Sequence, residues 1–487
     1  MSNLSDLLPS GGGQNIVDFT ASGTIASGKP VVLNANGTVS QIASTAEAVG
    51  TETEFYSSRV DFTNAVYDVN ANKIVIFFNR DGYGPYGVVV TVSGSSLSFG
   101  TPVQIASGNY YNSLGAIYDS TNNKVLFGYR SSGSGNYKVV VGTVSGTSIS
   151  FGTPVSADDG NNEKGGKMAY DANAQRVVVT FPDANNSQYG AAVVGTVSGT
   201  SISFGTPVVF NSGTTDTGAN MAVVYDPSSQ KVLIGYREGT PRGYGIVGTV
   251  SGTSISFGTG VKFSGSVTPT GITLGYSTSA SRILIVYEDE NTGNGHAITA
   301  SISGTTPSYG SDLTWVSAGL AGFENNTIAL VEDTNANVMT AGFNNNSYNG
   351  QVVNFTISGD TVTASSITTW DSGTQNFNIG GAYHTVEKKT VFSWAQTYST
   401  GEAITYSPAF TNLTATNFIG LADAAISDTA TGKINVKGSI NSKQSSLTIG
   451  SDYYAQSDGT VSTTSTSPAV KIGQAVTATT INMMDLT

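Results

Sequence analysis

The sequence predicts an all-β protein: a seven-bladed β-propeller inserted into a small β domain formed by the N- and C-terminal segments. Three observations predict it. The stretch VGTVSGTSISFGT occurs three times, letter for letter, at 141–153, 194–206 and 247–259. Upstream of it a second element recurs, as in AIYDSTNNKVLFGYR and AVVYDPSSQKVLIGYR. Its anchors are Tyr67, Tyr118, Tyr170, Tyr225, Tyr276, Glu332 and Tyr383, spaced 51, 52, 55, 51, 56 and 51 residues apart. Finally, the apolar period is two almost throughout, which is the period of half-buried strands. A repeat near 50 residues is the mark of propellers and similar arrays. Solenoid rungs are usually shorter, and a string of sandwiches needs linkers that are absent here.

The elements follow in chain order. Residues 1–15 (MSNLSDLLPSGGGQN) are too short and Gly-rich to fold alone and read as a flexible or docking arm. Residues 16–52 form the N-terminal part of the small β domain. Residues 53–415 hold the seven units. Each reads as four short strands, in the fourth unit MAVVYD, KVLIGYR, YGIVGTV and SISFGT. In six of the seven units a Lys or Arg lies six residues after the anchor; the sixth has Val338. The downstream element weakens along the chain, until the seventh unit retains only TYSPAFTN from Thr405. Asp68, Asp119, Asp171, Asp226 and Asp333 recur at one turn position, which argues for a structural Asx turn closing the first hairpin. Residues 416–487 complete the small β domain. NANGTV at 34–39 and QSDGTV at 456–461 punctuate the two flanks alike, and the first and last blades of a ring are neighbours.

Composition excludes several functions. There are 21 Lys and Arg against 33 Asp and Glu, a net charge of -12, with no basic run; nucleic-acid binding, which needs phosphate contacts, is not expected. Without cysteine, disulfides and thiolate chemistry are out. No signal peptide opens the chain and no apolar run is long enough for a membrane-spanning helix. His296 and His384 fall in different units, so no metal site is expected. Asp158 and Asp159 in DDGNN lack the alternating acidic spacing of a calcium loop and read as a solvated loop. No cofactor is expected.

In a propeller the first-to-second and third-to-fourth turns share one face. Here those turns are nearly uniform. The opposite face carries irregular segments such as NRDGYGP, REGTPRG and SADDGNNEKGG. Loops on a rigid scaffold are where binding residues sit. The candidates on that face are Arg80, Asp81, Tyr83, Tyr86, Arg130, Tyr137, Asp183, Arg237, Arg242, Tyr244, Glu288, Asp289 and Tyr398. Against this stands the plain reading that they are solvated turn residues and rim tyrosines. Catalysis is not expected. A glycosidase needs two positioned carboxylates; Glu288/Asp289 and Glu332/Asp333 are available, but one member of the second pair belongs to the repeated turn. Three Trp, at 315, 370 and 394, make few sugar-stacking platforms.

The flanking motifs carry a resemblance. FTASGTIASGKPVVLNANGTV at 19–39, FIGLADAAISDTATGKINVKGSI at 418–440 and LTIGSDYYAQSDGTVSTT at 447–464 resemble flanking segments of virion surface proteins, tail-fibre or capsid-fibre, of tailed and especially marine bacteriophages. SDLLPSGGGQN at 5–15 is similar to their N-termini. The resemblance covers about 120 residues and brings no catalytic residues. It implies a structural virion protein on the particle surface. Its ends would assemble with other virion proteins, as a homo-oligomer if it follows other fibre proteins, and its propeller would be turned towards a host surface glycan or protein. An architectural decoration protein without a receptor and a polysaccharide-degrading propeller enzyme remain the alternatives.

Overall fold

A computed structural model describes residues 15–34, 36–108, 113–131, 135–158, 166–214, 220–239, 242–317, 319–320, 328–371, 376–396 and 399–483. By its internal contacts the chain divides at 47/48 and 408/409 into a central unit, Ala48–Pro408, and a unit made of both flanks.

Among the described residues the central unit contains seven five-stranded antiparallel sheets. Each begins with a strand that ends on the repeated turn: Val60–Asp68, Ser113–Asp119, Lys167–Asp171, Met221–Asp226, Pro269–Ser277, Ile328–Asp333 and Asn376–His384. Each of these strands packs against the corresponding strand of the next sheet, and the seventh packs against the first, so the ring is closed. Apolar side chains from successive sheets interleave; Val177, Val179, Val193 and Phe181, for example, pack with Leu126, Tyr137 and Val139 of the preceding blade.

Two details differ from the four-strand reading. The outer strand comes in two pieces on one edge of the third strand. In blade 1, Ser96–Phe99 pairs with Val90–Ser93, and after a break Val103–Gln104 pairs with Tyr86–Gly87. The break falls at Gly-Thr-Pro, where Pro102 has no N–H to donate to the ladder. Blade 7, moreover, is completed from the other end of the chain. Ala48–Val49 and Thr53–Tyr56 pair with Thr400–Ser407. The weakened seventh repeat therefore reflects an outer strand supplied by the N-terminal side, whose first piece, Ala48–Val49, lies in the segment assigned above to the small domain.

The repeated turn is built alike seven times. Asp68, Asp119, Asp171, Asp226 and Asp333 are all buried. Each accepts backbone N–H bonds from its own turn: Ala71 at 2.9 Å, Asn122 at 3.0 Å, Ala174 at 2.8 Å, Ser228 at 2.9 Å and Ala336 at 2.9 Å. In blade 5, Ser277 Oγ takes over, accepting from Ala280 N, and in blade 7, His384 Nδ1 accepts from Glu387 N.

The anchors latch blade to blade. Tyr170 donates to Thr121 Oγ1 of the preceding blade at 2.6 Å, and Tyr276 meets Ser228 Oγ at 2.6 Å. Asn70 N donates to the Tyr118 hydroxyl, Asn335 N to that of Tyr383, and the backbone of Asn173 bonds Tyr225. Thr385 of blade 7 reaches Tyr67 of blade 1. Where the sixth unit has Glu332, its carboxylate accepts from Thr278 Oγ1 at 2.8 Å and from Thr278 N, so the substitution preserves the latch.

VGTVSGTSISFGT supplies a second seam. Its SGT turn needs a left-handed residue, met by Gly146, Gly199 and Gly252 with φ of 62°, 60° and 62°. The glycine after its Phe lies against the carbonyl of the next blade's turn: a Cβ on Gly152 would come within 1.8 Å of Thr200 O, and one on Gly205 within 2.1 Å of Thr253 O. The stretch repeats because each copy is both donor and receiver of one blade-to-blade contact.

Among the described residues the flanking unit has two five-stranded sheets. In spatial order, the first is Ile16–Thr20, Thr431–Val436, Phe418–Ala422, Pro30–Leu33 and Val39–Gln41. The second is Ile440–Asn441, Thr480–Asn482, Val470–Thr477, Asp452–Ala455 and Val461–Ser462. Taken in chain order, the two sheets have the same strand arrangement, so the second repeats the first without interruption. The propeller occupies the connection between the third and fourth strands of the first copy. The two similar punctuations are equivalent turns: Thr38 Oγ1 donates to Asn36 and Thr460 Oγ1 to Asp458, at 2.7 and 2.6 Å. A shared core of Val32, Ile42, Leu421, Tyr453, Ile472 and Ile481 joins the sheets.

Candidate functional site

Hydrogen bonds confirm which turns share a face. Glu387, in the first turn of blade 7, accepts from Gly94 N in the third-to-fourth turn of blade 1, and Arg176 donates to Gly252 O in the same way. The opposite face holds the second-to-third turns and the blade crossings, joined by bonds such as Glu290 N to Thr268 O.

On that opposite face, blade 1 brings Arg80, Asp81, Tyr83 and Tyr86 together. Arg80 ends the second strand, Lys73–Arg80, and Tyr86 lies on the third, opposite Phe78. The turn between them is tied by Tyr83 N to Arg80 O, and Gln104 Nε2 holds Tyr83 O at 2.7 Å. The Arg80 guanidinium sits 3.6 Å from the centre of the Tyr83 ring and 5.8 Å from that of Tyr56. Tyr56 in turn packs on Phe78 at 4.9 Å, and Phe78 stacks on Tyr86 at 5.6 Å. Tyr83 remains 52% exposed, the most open large aromatic ring on this face among the described residues. Beside it Arg59 bridges Asp61 and Asp81 at 3.0 and 3.2 Å. The result is a ledge with a fixed guanidinium, an open phenol ring and a flanking carboxylate. Cation–π contact and packed rings below hold its groups in place before any ligand arrives.

Tyr56 and Arg59 belong to this ledge and were not among the sequence candidates. Their signal lay in Val49-Gly50-Thr51, which parallels the Phe-Gly-Thr ending of the outer strands of blades 1 to 4 and places the following residues on the rim of blade 7.

The remaining candidates do not join a second cluster. Tyr137 is fully buried in the blade 2–3 core, its hydroxyl in the space left by the missing side chain of Gly128; burial pushes the phenol far up. Arg237 is also buried and pairs with Glu290 of blade 5 at 2.8 Å, a structural bridge. Glu288 and Asp289 are buried too. Burial, with Asp289 and Glu290 nearby, pushes Glu288 up to about 7, while Asp289 accepts from Thr292 Oγ1 and Asn291 N in its own turn. Asp183 caps a short turn by accepting from Asn185 N. Arg130 is half-buried, Arg242 exposed, and Tyr244 half-buried against Tyr236 at 5.8 Å. Tyr398 lies outside the described residues, as do Asp159 and residues 1–14 of the N-terminal arm. Asp158 accepts from Tyr137 N at 3.1 Å. Among the described residues no group of three His, Cys, Asp or Glu is placed to hold a metal, and no helix is long and apolar enough to cross a membrane.

No protein-family model matches the chain, and no curated protein matches it. Among solved structures the chain is similar to the Myceliophteria thermophila Cps50 (Swd1) β-propeller domain, with a TM-score of 0.47 and 11% identity over 74% of this chain and 99% of that one. It is likewise similar to the Pseudomonas aeruginosa periplasmic gluconolactonase PpgL, with a TM-score of 0.45 and 10% identity over 73% and 99%.

Proposed function

We propose that this chain is a non-catalytic display protein of a bacteriophage particle, seated through its flanking β unit and presenting the individual face of the propeller to carbohydrate on the host surface. The ledge of Arg80, Tyr83, Tyr86 and Tyr56 carries the binding part of this reading. It combines an open aromatic ring with a fixed fork of donors and a neighbouring carboxylate, which suits a hydroxyl-rich ligand with apolar ring faces. The seat in the particle rests on the likeness of the flanking segments to virion surface proteins. The absence of catalysis is supported by the engagement of Glu332 in a blade latch and of Asp333 in a turn, and by the burial of Glu288 and Asp289. The test is adsorption. Purified propeller, Ala48–Pro408, should bind host cells or their extracted surface polysaccharide, and Arg80→Ala with Tyr83→Ala should abolish binding while leaving the melting curve in place. Unchanged adsorption by that double variant would favour a purely architectural role. Failure to find the chain in purified particles would remove the proposed location.

A further inference from the structure

On the individual face, the second-to-third turn of blade 6 joins Val338–Asn344 to Gly350–Ser358 and carries Tyr348. Among the described residues Tyr83 and Tyr348 are the two exposed aromatic side chains, at 52% and 38%. The first belongs to the ledge on blade 1. The second stands in the left-handed region, with φ of 61°, where a bulky side chain is strained. The turn is tied by its own backbone and by Asn345. Asn345 Oδ1 accepts from Ser347 N at 2.9 Å and from Asn349 N at 3.0 Å. Tyr348 N donates to Asn345 O at 2.7 Å, and Asn346 N reaches Gly319 O at 3.1 Å. None of these bonds uses the Tyr348 side chain.

Sister turns show what the backbone asks for at this point. The third strands of blades 2, 5 and 6 are each entered through a left-handed residue followed by Asn: Gly135-Asn136, Gly293-Asn294 and Tyr348-Asn349, with φ of 70°, 69° and 61° at the first residue. In each, the Asn carbonyl closes the turn, accepting from Ser131 N at 2.9 Å, Asp289 N at 2.9 Å and Asn345 N at 3.2 Å. Two of the three use glycine, which has no Cβ to strain. Tyrosine in the third is therefore not a requirement of the turn. Strain kept where the fold does not need it points to a role at the surface.

We propose that Tyr348 is a second saccharide platform on this face, one that takes an uncharged sugar residue. The stretch NNNSYNG, Asn344 to Gly350, contains no charged side chain, in contrast to the ledge of Arg80 and Asp81. Asn346 and Ser347 are exposed in the same turn. Amide and hydroxyl groups thus adjoin an aromatic surface, a combination that suits the apolar face and the hydroxyls of a neutral hexose. The proposal rests on the reading that this face meets carbohydrate, and extends it. Two platforms on different blades engage one polymer at two points, so that its avidity exceeds that of either contact.

The experiment compares the whole protein with Tyr348→Gly, Tyr348→Phe and the ledge variant carrying Arg80→Ala and Tyr83→Ala. Two probes are used: extracted host surface polysaccharide, and a dense array of immobilised neutral hexosides. Tyr348→Gly should weaken polysaccharide binding on the order of tenfold, the loss of one aromatic contact, and should lose retention on the hexosides. The ledge variant should keep that retention. Tyr348→Phe preserves the ring and should stay within a few-fold of the unmodified protein on both probes. The urea midpoint of Tyr348→Gly should not fall, because glycine takes the left-handed backbone without strain. Polysaccharide binding abolished in the ledge variant and untouched by Tyr348→Gly would remove this proposal and leave the ledge standing. The converse would remove the ledge and leave Tyr348. An unmodified protein that binds neither probe would overturn both readings, and one that binds the polysaccharide but no neutral hexoside would overturn this one alone. A lowered midpoint in Tyr348→Gly would show that the ring is there to pack, and would also overturn it.

Discussion

Single residues in this molecule settle local questions that the repeat leaves open. The residue before the position of the repeated Lys or Arg (Val338 in the sixth blade) is left-handed in all seven blades: Asn72, Asn123, Gln175, Gln230, Ser281, Asn337 and Lys388, with φ from 51° to 58°. Asn tolerates that conformation better than Gln does. Gln175 is exposed, so Gln175→Gly should stabilise the protein by about 0.5–1 kcal/mol, read as a raised urea midpoint with unchanged slope. Glu402 is a different case. It lies directly across from Glu54 in blade 7 and is buried. Burial, then Glu52 and Glu54, push it up to about 7, against a hydrogen bond from Thr400. The folded protein therefore holds a proton there that the unfolded chain releases at lower pH, and stability falls as pH rises from the ordinary carboxyl range through about 7. Glu402→Gln should raise the melting temperature at pH 8 and change it little at pH 4; an equal gain at both would show that charge is not the cause.

At the level of elements, the two seams between blades make different predictions. The anchor latch is a partly exposed hydrogen bond. Tyr170→Phe loses its 2.6 Å bond to Thr121 and should cost about 0.5–1.5 kcal/mol. The outer seam is a backbone contact with no room. Gly152→Ala places a methyl against Thr200 O and should cost about 1–3 kcal/mol by forcing two blades apart. Gly146→Ala has open space around it, so its cost is backbone strain alone; chemical denaturation of the two variants separates the effects. These seams account for the two markers that recur in the sequence. The anchors and the VGTVSGTSISFGT stretch could be counted from the sequence because each blade must present the same contact to its neighbour. The split of the outer strand was not legible, since a two-residue strand after Gly-Thr-Pro has too little pattern to separate it from a crossing.

For the whole molecule, closure depends on chain ends that are distant in sequence. A protein spanning 48–408 retains the outer strand of blade 7, whereas one spanning 57–408 lacks it and leaves the third strand as an open edge. The longer form should be monomeric and melt cooperatively, and the shorter should self-associate, as size-exclusion chromatography would show. The insertion makes a matching prediction. Thr45 and Phe410 pair directly across the two chains that lead into and out of the propeller. Joining them through a short Gly/Ser turn should leave a folded two-sheet domain with a cooperative melt.

By itself the sequence determined the all-β class, the seven units, the structural turn aspartates and the uniform face, because every one of these is a local pattern imposed once per blade. It also held Arg80, Asp81, Tyr83 and Tyr86 in one short turn, where proximity in sequence guarantees proximity in space. Only the tertiary structure decided that Tyr56 and Arg59 complete that ledge and that Tyr137, Arg237 and Glu288 face inward. Those facts depend on which side of a strand meets a neighbouring blade and on residues hundreds of positions apart. A strand's period of two says that its sides differ; the closed ring decides what each side meets.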